Sequence, residues 1–269
     1  MGFLEKLAAR RQATGALLCV GLDPDTAKLP ASCASSTQPL YEFCRRIVQA
    51  TAPYACAFKP NLAFFEAFGS AGIAQLERLL AEIPAEIPTV LDGKRGDIGN
   101  TSRLYARFLF EHLRGDAATV NPYLGRDALE PFFEFPGCVP IVLCLTSNPG
   151  SVDIQTVTST ETNERIYHRV IHLLDRMPGP YGLVVGARHA SLIADVRAQA
   201  PHAPLLIPGI GAQGGDLAAT LSAAAADGAP ALVNVSRDIL YASAGDDFAE
   251  AAAAKSAWYA AEMKRLIAP

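Results

Sequence analysis

The sequence predicts a closed (β/α)8 TIM barrel, and three observations carry that prediction. Apolar runs of strand length recur eight times along the chain. Each run is continuous rather than alternating, as in parallel strands buried on both faces. Segments with apolar residues at helical spacing separate the runs. Eight strand-helix units in about 250 residues is the size of a closed barrel. A doubly wound open sheet is the competing arrangement. The chain has 269 residues, half of them apolar and 19% charged, with no low-complexity tract, so a single domain over residues 1–269 is expected.

The elements follow in order. An initial helix near Phe3–Thr14 has no place inside the barrel and is expected to cap its N-terminal end. The strands are expected at 16–21, 54–59, 88–92, 117–121, 139–145, 182–185, 204–208 and 231–235. Leu40, Phe43, Cys44, Ile47 and Val48 share one helical face after the first strand, as do Leu104, Phe108 and the apolar residues up to Leu113 after the third. Pro178-Gly-Pro180 ends the helix before strand six. Two connections, 24–39 and 146 to about 160, exceed the usual loop length, and long loops in compact domains are commonly functional.

Net charge is −4 with scattered basic residues, which argues against nucleic acid or an anionic membrane as partner and favours a small molecule. No uninterrupted apolar stretch reaches 18 residues, and the start lacks a secretory pattern, so a cytoplasmic protein is expected. The six cysteines show no metal-binding spacing and read as reduced, mostly buried thiols.

Polar residues fall at the ends of nearly all the expected strands, where a barrel gathers its catalytic groups. Asp23 follows strand one, Lys59 closes strand two, Asp92 and Lys94 close strand three, Asn121 closes strand four and Ser147 follows strand five. Taken singly, Asp23 and Asn121 could cap helices, Lys59 could be solvated, and Asp97 could sit at a helix N-terminus. Lys94 has one carboxylate two positions before it and another three positions after it, in Asp92-Gly-Lys-Arg-Gly-Asp97. Such a lysine keeps its proton and can deliver it. After strand seven, the glycine-rich turn Pro208-Gly-Ile-Gly-Ala-Gln-Gly-Gly215 includes Gly209, Gly211 and Gln213, and Arg237 follows strand eight. Backbone N–H groups of such a turn, with an arginine from the next loop, suit a phosphate monoester. The GxGxxG within it follows the seventh strand and lacks the downstream acid of a dinucleotide site.

The run Asp92 to Thr101 resembles the DxKxxDIxxT signature of the orotidine 5′-phosphate decarboxylase family. Lys59, the 208–215 turn and Arg237 match its other motifs, and the likeness runs from Gly21-Leu-Asp23-Pro-Asp25 to the final helix. Phe58-Lys-Pro-Asn61 and Asn121-Pro-Tyr-Leu-Gly125 resemble the longer bacterial subgroup, type 2; Gly93 stands where that family's pattern has alanine. The resemblance implies a homodimeric, cofactor-free and metal-free carboxy-lyase for orotidine 5′-monophosphate, the last step of pyrimidine (UMP) synthesis. It implies an alternating array of Lys59, Asp92, Lys94 and Asp97, with Asp92 facing the substrate carboxylate and Lys94 protonating C6. Asp97, Ile98 and Thr101 would reach the partner's site. Asp23 and Lys59 would hold the ribose hydroxyls, while Gln213, on a closing loop, and Arg237 would bind phosphate. Ser147 would contact the pyrimidine ring, with Thr146 and Ser151 as nearby alternatives.

Three rivals remain at this stage. A barrel relative using Mg2+ would carry a carboxylate where this chain has Lys59, and an ammonium repels the metal. A Schiff-base aldolase would need a lysine of lowered pKa, which flanking carboxylates oppose. A non-catalytic nucleotide sensor would have no use for an alternating charge array, which is costly to bury.

Overall fold

A computed structural model describes residues 1–187, 190–211 and 214–267. Its strands are β1 (Leu18–Leu22), β2 (Ala57–Pro60), β3 (Val90–Arg95), β4 (Ala117–Val120), β5 (Val139–Leu145), β6 (Gly182–Val185), β7 (Leu205–Pro208) and β8 (Ala231–Val235). They are ordered β2-β1-β8-β7-β6-β5-β4-β3 in one sheet. Parallel bridges Phe58↔Thr89 and Asn61↔Asp92 join β2 to the β3 segment and complete the (β/α)8 barrel. All residues of β1, β2, β4, β6 and β8 are buried, as expected for continuous apolar strands covered on both faces.

By contacts the chain divides into two compact units, Met1–Gly93 with Asn234–Pro269, and Lys94–Val233, so the divisions fall inside β3 and β8. In the first unit, helix α1 (Phe3–Thr14) lies where a cap was expected. Phe3 and Leu7 are buried, and the Arg10 guanidinium donates to the carbonyls of Ala52 (2.7 Å) and Ala55 (2.8 Å), just before β2. Helix α2 (Pro39–Thr51) buries all five residues of its expected apolar face. Its Phe43 stacks on Phe248 at 5.0 Å and on Tyr241 at 5.9 Å, docking the final helix, Phe248–Ile267. Strand β2 begins at 57 rather than 54 because Tyr54 and Ala55 turn off α2, their N–H groups donating to the Thr51 carbonyl.

In the second unit, helix α3 (Gly99–Arg107) departs from the expected pattern. It buries Ser102 and Ala106 and leaves Leu104 53% exposed. The next turn, Phe108–His112, is a π-turn closed by Leu113 N–H on the Phe108 carbonyl. The buried face runs through Ser102, Ala106, Leu109, Phe110 and Leu113, at regular helical spacing, so small residues rather than Leu104 face the core in the first turns. Helix α4 (Ile166–Leu174) joins helix α5 (Ala190–Gln199) through Asp195, whose Oδ2 accepts from Tyr167 Oη at 2.5 Å and lies 2.6 Å from His168 Nε2. Arg197, 7% exposed, donates to the carbonyls of Ala224, Ala203 and Pro230, and burial pulls its pKa down to about 10.

All six cysteines are free, five of them buried, as the sequence reading expected. Burial pushes the Cys19 thiol up to about 12, against the pull of Lys59. Among the described residues no helix is long and apolar enough to cross a membrane.

Candidate active site

In the first unit the end of β2 and the middle of β3, which runs past the expected end at Asp92, bring Lys59 and Asp92 together. β2 ends one residue after Lys59, and the Asn61↔Asp92 bridge sets Asp92 beside it. Lys59 Nζ stands 2.7 Å from Asp92 Oδ2, with the residues 4% and 8% exposed. Lys59 is therefore not solvated. Burial alone lowers the pKa of its ammonium, but the Asp92 and Asp23 carboxylates outweigh it and the net shift is upward. A buried ion pair is weak evidence for stability, because apolar replacement often stabilises as well or better. Its place beside the end of β2 points to function.

Asp23 does not cap a helix. Its Oδ1 is buried with no hydrogen-bond partner, an acceptor held open for a donor. The main chain around it is fixed by Tyr241, whose hydroxyl donates to the Asp23 carbonyl at 2.9 Å and accepts from Asp25 N–H at 2.7 Å. Burial raises the Tyr241 hydroxyl to about 12, so it stays protonated for that role. At the end of β8, Asn234 is 7% exposed, donates to Ser236 Oγ at 3.2 Å and has a buried, unpartnered Oδ1. Arg237, the first residue of a short helix, is exposed.

In the second unit, β3 runs on to Arg95, so Lys94 lies within the strand rather than beyond it. Its backbone takes φ 46°, and its N–H donates to Thr119 Oγ1 at 2.9 Å. A non-glycine residue in this left-handed region marks stored strain that the neighbouring strand stabilises. Asp97 Oδ1 accepts from Ile98 N–H at 2.8 Å, immediately before α3. Ile98, the N-cap of α3, is 58% exposed, and Thr101 in the first turn of α3 is also exposed. Asn121 Oδ1 closes a turn on Tyr123 N–H and caps no helix.

Ser147 lies against Gly186. A Cβ on Gly186 would fall 2.7 Å from the Ser147 nitrogen and Cα, so only glycine admits this approach. Gly186→Ala is expected to cost about 1–3 kcal/mol by overpacking; thermal unfolding reads this, and an unchanged midpoint would show that Ser147 moves freely. Thr146 gives its N–H to Gln155 Oε1 and its hydroxyl proton to Asn148 Oδ1, and its Oγ1 accepts from Gln155 Nε2. In the glycine-rich turn, Gly209 and Gly211 take φ 109° and 79°, and Gly215 N–H donates to the Gly209 carbonyl at 3.1 Å. Asp216 caps the following helix (Leu217–Ala224) by accepting from Ala219 N–H, so that N–H is already taken. Gln213 lies outside the described residues.

The sequence reading missed Tyr241, Thr119 and Gln155. Their signal was position alone, on or just past a strand or in a long loop.

The family model described as "Orotidine 5′-phosphate decarboxylase / HUMPS family" matches residues 16–254. A protein of Roseiflexus sp. (strain RS-1), named orotidine 5′-phosphate decarboxylase, is 49% identical over 258 residues, 94% of this chain and 93% of that relative. Among solved structures, Leishmania donovani OMP decarboxylase is 39% identical with a TM-score of 0.82, over 98% of this chain and 99% of that one. Leishmania donovani UMP synthase is 41% identical with a TM-score of 0.84, over 97% of this chain and 57% of that one. A family match across most of the chain, with relatives of this identity, establishes that the chain belongs to the orotidine 5′-phosphate decarboxylase / HUMPS family.

Proposed function

We propose that this chain converts orotidine 5′-monophosphate to uridine 5′-monophosphate and CO2, the final step of de novo pyrimidine synthesis, with Lys94 as the proton donor to C6. The observation that carries this reading within the family is the buried Lys59–Asp92 pair at 2.7 Å. A metal-dependent relative needs oxygen ligands around its cation. Here an ammonium already occupies a carboxylate oxygen of the strand-three aspartate, which suits a site that works on charge alone.

Loss of CO2 breaks the bond from C6 to the carboxylate carbon and leaves its electron pair on C6. The ring delocalises that charge poorly, so a fixed cation at C6 is the main source of stabilisation. In this reading Asp92 faces the departing carboxylate, Lys94 gives its ammonium proton to C6, and solvent reprotonates the amine. Lys59 and the open Asp23 carboxylate hold the ribose hydroxyls, and Ser147 contacts the ring. Gln213, on a loop that closes over the substrate, and Arg237 grip the phosphate with the N–H groups around Gly209 and Gly211. That remote binding energy orders the site.

Asp97, Ile98 and Thr101 complete the site of a partner subunit in this reading, so the working unit is a homodimer. The exposed Ile98 and Leu104, together with the exposed Tyr123 and Leu124, support a covered apolar face. The whole chain acts as one catalytic domain, in the cytoplasm.

Two measurements test the assignment. Product analysis should give uridine 5′-monophosphate and CO2 in equal amounts; an aldol product or no product would refute it. Arg237→Ala should raise KM for the nucleotide by roughly 10²-fold, the worth of one charge-assisted pair. Turnover of phosphate-free orotidine should respond far less, and an equal loss on both substrates would remove Arg237 from the phosphate grip.

A further inference from the structure

Gln155 was singled out by no motif, yet it is tied to the chain at both ends. Its N–H donates to the Ser151 carbonyl at 2.8 Å, and its carbonyl accepts from Tyr167 N–H at 3.1 Å, in the first turn of α4. Tyr167 is fully buried and bonded to Asp195, so this end is anchored in the core. The side chain reaches back nine residues to the end of β5. Oε1 accepts from Thr146 N–H at 2.7 Å and Nε2 donates to Thr146 Oγ1 at 2.8 Å.

The Thr146 hydroxyl has one proton, and Asn148 Oδ1 at 2.6 Å is its nearer acceptor. Both donors of Thr146, its N–H and its hydroxyl proton, are therefore spent within the loop. The next residue, Ser147, has its backbone pressed on Gly186. With Thr146 clamped on one side and Gly186 close on the other, the backbone that carries the Ser147 side chain is held from both directions.

We propose that Gln155 is a positioning residue that aims Ser147 at the pyrimidine ring by clamping Thr146, without touching the substrate itself. This rests on the reading in which Ser147 contacts the ring.

The test is a double-variant cycle read as kcat/KM for orotidine 5′-monophosphate, with thermal midpoints recorded. Gln155→Met keeps the volume and removes both side-chain bonds, and should lose about tenfold or more, since two hydrogen bonds are released. Gln155→Glu keeps the acceptor for Thr146 N–H and should recover most of that loss. Ser147→Ala should lose a similar factor, and Ser147→Ala with Gln155→Met should be no worse than the poorer single variant. Thr146→Val, which removes only the hydroxyl half of the clamp, gives a milder version if Gln155→Met folds poorly.

Multiplying losses in the double variant would overturn the proposal, as would a Gln155→Met enzyme with normal kcat/KM or a Gln155→Glu enzyme as impaired as Gln155→Met. If instead Ser147→Ala turns over normally, the ring contact itself is wrong and the clamp has no function to serve.

Discussion

Lys94→Ala is expected to lower turnover of orotidine 5′-monophosphate by roughly 10⁴-fold or more, because it removes both the proposed C6 proton donor and the proposed cation that balances the carbanion. The fold should survive. Lys94 is exposed, and its main-chain bond to Thr119 does not depend on the side chain. The strained φ of 46° is no worse for alanine than for lysine. Lys94→Arg is the sharper control: it keeps the charge, but a guanidinium does not give up its proton near neutral pH. It should bind nucleotide and remain inactive. Absorbance of the substrate reads the rate and circular dichroism reads the fold. A folded Lys94→Ala enzyme within tenfold of the parent would place the proton donor elsewhere.

The second large effect is expected from mixing two inactive proteins. Lys94→Ala lacks the donor and Asp97→Ala lacks the residue proposed to complete the partner's site, so each alone should be nearly dead. In a hybrid dimer one site draws its intact Lys94 from one subunit and its intact Asp97 from the other. Random exchange at equal amounts should restore about a quarter of the sites. Activity that stays absent after subunit exchange is demonstrated would end the shared-site reading. In that case Asp97, which accepts a hydrogen bond from Ile98 N–H, would serve only its own helix start.

Much of this was legible in the sequence because buried parallel strands are written as continuous apolar runs. The ends of β5, β6 and β8 fall where the runs end, and Lys59, near the end of β2, stands beside Asp92 of β3. Leu104 shows where the reading fails. Its spacing fits a buried face, but the core side of this helix is taken by the small residues Ser102 and Ala106, in phase with Leu109 and Leu113, and Leu104 points away. A rule that follows large apolar residues overlooks a buried face built from a serine and an alanine.

The acceptors and clamps were illegible for another reason. Tyr241 holds Asp23 across more than two hundred residues, and Gln155 holds Thr146 across a loop without periodicity. Such bonds depend on chain closure, which local pattern does not encode. The open oxygens of Asp23 and Asn234 belong to the same class, since an unpartnered buried atom exists only once the strands around it are assembled.

The central claim is decarboxylation by charge alone, built around the Lys59–Asp92 pair. The most direct measurement follows loss of substrate absorbance by the full chain after exhaustive dialysis against EDTA, with chelator kept in the assay. The account predicts an undiminished rate. Collapse on chelation, restored by Mg2+, would contradict it and make the Lys59–Asp92 pair a metal site in disguise.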